Sequence, residues 1–290
     1  MKNSHAIRFI LFTFVFSWLF WSVAIFNGQP RTTFPNIIFF ILGGSGPTLI
    51  ALTIVLRSFN TEARRDFWLR VIDPRRLRAA WWLLSLLAIP LVIVLGIALD
   101  VLLGGALPAM PNLKLLAADP VSIPIFVLMM LIGGPVSEEL GWRGFALESF
   151  QQKWSPLRST LILSAIWWIW HLPLFFMRGT THYDWGLFTP MFWLFMIQVL
   201  LLTIFMTLAY NHNGHSVLAA ILIHFSYNLM LSLLMPLSTT AFAFITLLLA
   251  VLAFAILKIF GWKGTKLPPL VRAETKPRNR QPAPTGNQGK

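Results

Sequence analysis

Nearly uncharged stretches of about 20 residues recur along this chain, and each is long enough to cross a bilayer as a helix. No other property limits the fold as much, because a backbone in hydrocarbon must satisfy all of its own N–H and C=O groups. Only helices and closed barrels do that. Barrel strands read as short alternating segments, which are absent from this sequence. Composition agrees: 57% of residues are hydrophobic and 11% charged, where a soluble domain carries about 25% charged. The sequence predicts an all-α, polytopic membrane helix bundle of about eight transmembrane helices. They are expected near residues 7–26, 35–56, 80–103, 121–140, 159–178, 187–209, 216–235 and 240–260. The fourth is expected to continue as a helix to about Gln151.

The charge pattern orients these spans. Segment 57–79 carries Arg57, Arg64, Arg65, Arg70, Arg75, Arg76 and Arg78, and basic connecting loops face the cytoplasm. Counting outward from it puts both termini in the cytoplasm. The net charge of +13 therefore has its source in loops and tail, and no nucleic-acid partner is expected. Membrane lipid is the expected surrounding. With no cysteine in the chain there is neither a disulfide framework nor thiolate chemistry. Residues 1–263 read as one integral membrane domain, and 264–290 as a disordered basic cytoplasmic tail rich in Pro, Gly, Lys and Arg. No internal repeat is evident, which disfavours a transporter built from inverted halves.

Ionisable groups inside a span are expensive and mark functional sites by default. GGPVSEELGWRGF, residues 133–145, holds three of them. Glu139 and Arg143 stand at i,i+4 with the acid on the N-terminal side, the better orientation for a helical ion pair. Glu138 points about 100° away. The spacing therefore separates a restrained Glu139 from an available Glu138. Gly134 and Gly141 fall on the Glu138 face, where neither blocks approach, and Pro135 frees a carbonyl one turn earlier. In AIWWIWHLPLFF, residues 165–176, His171 sits beside the helix break imposed by Pro173, and Trp167 is placed to wall its ring. In LAAILIHFSYNLM, residues 218–230, His224 and Asn228 share one face at i,i+4. Each group also has a bland reading: a solvated surface ion pair, a packed neutral histidine, or interhelical hydrogen bonding. Gln198 and Asp100 read as structural. His212 and His215 read as a cytoplasmic surface turn, with Ser216 capping the next helix.

Together these groups form a hydrolytic set. Glu138 with His171 suits the activation of water, and His224 with Asn228 suits the stabilisation of an oxyanion. A zinc ion held by Glu138, His171 and His224 is the alternative, since Glu plus two His is a common zinc shell. The local H-E-x-x-H motif is absent. On the reading favoured here no cofactor is required.

At these residues the sequence resembles the CPBP (CAAX protease and bacteriocin-processing, Abi) family of intramembrane endopeptidases, which includes the CAAX prenyl proteases of the Rce1 type. Its EExxxR motif matches Glu138, Glu139 and Arg143. Its FxxxH motif matches WWIWH, with Trp167 in place of Phe, and His171. Its HxxxN/D motif matches His224 and Asn228. The resemblance spans roughly residues 120–235. It implies an enzyme that hydrolyses peptide bonds at the cytoplasmic side of the membrane, with a peptide or protein substrate. Glu138 and His171 would activate water, His224 and Asn228 would hold the oxyanion, and Glu139 and Arg143 would support them. A multi-pass protein of a bacterial plasma membrane is the expected setting. A non-catalytic bacteriocin-immunity or scaffold protein of the same family is the alternative.

Overall fold

The structure, a computed structural model, describes residues 4–262 and is helical throughout its long elements. The expected basic tail, 264–290, lies outside the described residues. In chain order the helices are α1 (Ser4–Asn27), α2 (Asn36–Gly44), α3 (Gly46–Ser58), α4 (Thr61–Ile72), α5 (Ala79–Leu102) and α6 (Pro111–Ala118). They continue with α7 (Pro120–Gln151), α8 (Pro156–Trp170), α9 (Thr181–Trp185), α10 (Pro190–His212), α11 (Val217–Leu234) and α12 (Thr239–Phe260). Seven helical stretches are long and apolar enough to cross a membrane, and eight if the bent pair α2–α3 is one span. That pair meets at 51°, where the sequence reads GGSGP. The expected straight helix over 35–56 is therefore broken at the point where glycines lower helix stability and Pro47 starts a new first turn.

Side chains on the outside of the bundle repeat at helical spacing. Ile7, Leu11, Val15 and Leu19 on α1 are exposed, as are Leu83, Leu87 and Leu91 on α5 and Leu247, Val251 and Phe254 on α12. Such stripes would be an aggregation liability in water, and in a bilayer they are the lipid-facing surface. Helix starts follow local chemistry. Ser155, Thr189, Ser216 and Ser238 each accept a hydrogen bond from a backbone N–H in the first turn they precede. Pro156 and Pro190 stand where a missing N–H costs nothing.

The basic segment between α3 and α5 is built into the bundle by ion pairs and hydrogen bonds. Arg70 on α4 is buried and pairs with the buried Glu148 of α7. It also meets Asp66 at 3.0 Å and donates to the Tyr210 hydroxyl at 3.2 Å. Burial alone would lower the basicity of Arg70, but the Glu148 carboxylate outweighs it and holds the guanidinium above its ordinary pKa. Arg76 donates to the Gly214 carbonyl at 2.6 Å, and the Arg78 backbone N–H to Asn213 Oδ1 at 3.1 Å. The loop is thus bolted onto the α10–α11 turn. That turn is not the surface feature expected from sequence: His212 and His215 are buried. His212 stacks on Trp81, and its Nε2 meets the Gly261 carbonyl at 3.1 Å. Gln198 is structural as expected. It donates to Thr246 Oγ1 at 2.8 Å and accepts from the Tyr227 hydroxyl, joining α10, α11 and α12.

Replacing Glu148 by Ala leaves the Arg70 charge buried with only Asp66 beside it, and should cost about 3 kcal/mol. Thermal unfolding in detergent would read this as a lower midpoint. The double replacement Arg70→Met with Glu148→Leu should recover most of the loss, because two apolar groups need no pairing.

Candidate active site

The site forms where α7, α8, α10 and α11 meet. Within α7 the backbone widens twice into turns of the i→i+5 type, over Ile132–Val136 and Trp142–Leu147. Between them lies one ordinary stretch, Ser137–Gly141, that carries both glutamates. Such wide turns accompany functional sites because each re-aims the side chains beyond it. The first contains Pro135, so the missing N–H is absorbed as a widened turn.

Glu139 and Arg143 are fully buried, and Nη1 of Arg143 donates to both carboxylate oxygens at 2.8 Å. The pair inferred from their spacing is present, with two additions from distant sequence. His224 on α11 places Nδ1 2.7 Å from Glu139 Oε1. Arg143 Nη2 also donates to Thr203 Oγ1 of α10 at 3.3 Å. Since Glu139 can only accept when ionised, His224 donates through Nδ1–H and its Nε2 is turned toward the space beside Glu138.

That space is set by Gly134. A Cβ there would lie 2.6 Å from Asn228 Nδ2, 3.5 Å from His224 Nε2 and 3.7 Å from Glu138 Oε1. Three polar groups from two helices thus converge on one bare α-carbon. Gly141 does not line this space as its spacing suggested. It faces the start of α3, where a Cβ would collide with the Pro47 backbone. Glu138 is buried, and one of its oxygens is already engaged: Oε2 accepts from the Trp167 indole N–H at 2.7 Å. The carboxylate read from sequence as available therefore has one oxygen bound to Trp167 and the other on the side of Gly134, Asn228 and His224.

His171 follows the last residue of α8, at the break before Pro173. It donates through Nδ1–H to the Trp167 carbonyl at 2.8 Å, which leaves Nε2 as an acceptor. No hydrogen bond joins it to Glu138 among the described residues; Trp167 stands between them, bonded to both. His182 on α9, not singled out from sequence, stacks on His171 with ring centroids 5.6 Å apart. Burial, with His171 and Arg31 nearby, holds His182 well below the ordinary imidazole pKa, so it is neutral. Only an alignment of α9 over α8 could have revealed it, since it lies eleven residues from His171 across a loop.

A zinc ion would require Glu138, His171 and His224 as a common shell. Among the described residues no group of three His, Cys, Asp or Glu side chains is arranged to hold a metal. The residues therefore do not fit that shell as they stand.

Gly134→Ala should push Asn228 out of place while leaving the bundle folded. A displacement of about 1 Å in a catalytic group costs on the order of 100-fold in rate, so peptidase activity should fall that far with an unchanged unfolding midpoint.

Residues 120–230 match the family described as type II CAAX prenyl endopeptidase Rce1-like, close to the segment 120–235 that carries the motifs. The chain is also similar to CAAX prenyl protease 2 of Methanococcus maripaludis, at 27% identity over 226 residues. That alignment covers 76% of this chain and 82% of the relative.

Proposed function

We propose, for a chain similar to the Rce1-like family of CAAX prenyl endopeptidases, that it hydrolyses peptide bonds by a metal-free mechanism in which Glu138 activates water. The observation that carries this reading is the convergence of Glu138 Oε1, His224 Nε2 and Asn228 Nδ2 on the space beside Gly134. A water there lies within reach of a carboxylate oxygen that can take its proton. As its oxygen bonds to the scissile carbonyl carbon, negative charge moves onto the carbonyl oxygen. The Asn228 amide and the His224 imidazolium, held by Glu139, donate to that oxyanion. Collapse of the intermediate breaks the C–N bond, and the proton held by Glu138 passes to the leaving amine. His171, held through Nδ1–H by the Trp167 carbonyl, shares the activation of water through Nε2. Glu139 and Arg143 take no proton; they hold His224 in position.

The substrate class is a peptide or protein segment delivered at the membrane. The relative's name specifies a prenylated CAAX terminus, and a farnesylated CAAX peptide with a quenched fluorophore is therefore the first probe. With the arginine-rich 57–79 segment in the cytoplasm, eight crossings place both termini there, and substrate arrives from that side. Lipid surrounds the bundle, and a bacterial plasma membrane is the proposed location.

Purified enzyme in detergent should cleave the probe. Glu138→Gln and His224→Ala should each lose activity by at least about 100-fold, the scale of losing a general base or an oxyanion donor. Undiminished cleavage by Glu138→Gln would sink the assignment. Exhaustive treatment with a zinc chelator should leave the rate unchanged. One zinc per chain by elemental analysis, lost together with activity, would overturn the metal-free mechanism.

A further inference from the structure

Trp167 touches four of the groups assigned to the site, Glu138, Arg143, His224 and His171. Its indole N–H donates to Glu138 Oε2 at 2.7 Å. Its ring lies under the Arg143 guanidinium, with Cζ 4.4 Å from the centroid, and meets the His224 ring edge-on at 5.4 Å. Its carbonyl accepts from His171 at 2.8 Å. A ring packed on one side by a cation, on another by an imidazole, and buried to 3% exposure has one available orientation. The motif this segment resembles has Phe here, which fills the same space but donates nothing.

A glutamate side chain turns about three bonds, and beside Glu138 the Asn228 amide and the His224 ring close in on the bare α-carbon of Gly134. Without a tether its carboxylate would divide its time between the cavity and the neighbouring Arg143 charge. An indole is a donor only, so it accepts no proton and cannot exchange roles with the carboxylate. By occupying Oε2 it leaves Oε1 as the oxygen that faces His224 and Asn228, and as the one on which a proton taken from water lands.

We propose that Trp167 is a positioning residue of this enzyme, whose indole N–H holds Glu138 through Oε2 so that Oε1 is presented to water. This inference rests on the proposed hydrolytic role of Glu138. Trp167→Phe keeps the ring and removes the donor. A hydrogen bond to a charged group is strong enough that its loss should lower kcat by about 10- to 100-fold, with KM for the farnesylated probe unchanged. A variant with unchanged kcat, or with raised KM alone, would overturn the proposal, because either would make Trp167 a wall of the pocket. A second readout does not depend on turnover. In protein labelled with 15N at tryptophan indoles, the resonance missing from Trp167→Phe identifies Trp167. That resonance should shift upfield in Glu138→Ala as the bond is lost. An unmoved resonance would refute the bond even in an active enzyme. Failure of the unsubstituted enzyme to cleave any probe would instead refute the hydrolytic function, with the indole resonance still deciding the contact.

Discussion

A carboxylate and a guanidinium without access to water hold four helices at one point. Glu139 and Arg143 belong to α7, His224 of α11 joins through Glu139, Thr203 of α10 joins through Arg143, and Trp167 of α8 lies against the guanidinium. Taking either charge from water costs several kcal/mol, and the attraction between them repays this only with good geometry and filled hydrogen-bond positions. Both carboxylate oxygens are engaged, one of them twice. The pair therefore does little as a simple stabiliser. Its effect is to fix register, since a slide of any of the four helices would strand a buried charge.

The register so fixed gives two chemically identical neighbours opposite parts. Glu139 spends its charge on Arg143 and His224. Glu138, one residue earlier, faces Gly134 and Trp167. An ordinary helix already separates adjacent side chains by about 100°. The two wide turns bracket the pair and re-aim the flanking residues, so that Arg143 turns toward α10 while Gly141 meets α3. The carboxylates lie thirteen and twelve residues before the end of α7, about 20 Å along its axis. Their chemistry is therefore set by protein groups on every side.

Much of this was legible in the sequence, and the division between what was and was not has a physical cause. Runs of about 20 apolar residues marked the spans, because the bilayer fixes their length. The Glu139–Arg143 pair and the shared face of His224 and Asn228 followed from i,i+4 geometry, which is local. Contacts between helices carry no such period. The attachment of His224 to Glu139 spans 85 residues, and that of Trp167 to Glu138 spans 29. Gly141 was misplaced for the same reason: what covers it is Pro47 of α3, a contact between helices that spacing does not show. The α10–α11 turn looked like surface because it is polar, yet arginines from the preceding loop cover it.

These contacts also account for how a charged reaction is run where charge is expensive. Glu139 and Arg143 cancel, and what remains is Glu138 facing His224 across Gly134. With the proton on His224 the two form an anion and a cation; with it on Glu138 both are neutral. Either arrangement has zero net charge, so the proposed passage of a proton between water, carboxylate and imidazole adds no net charge to the low-dielectric interior. The contacts on either side favour the ionised arrangement: Trp167 donates to Glu138, and Glu139 accepts from His224. In the proposed mechanism that arrangement supplies the base for water and the donor for the oxyanion.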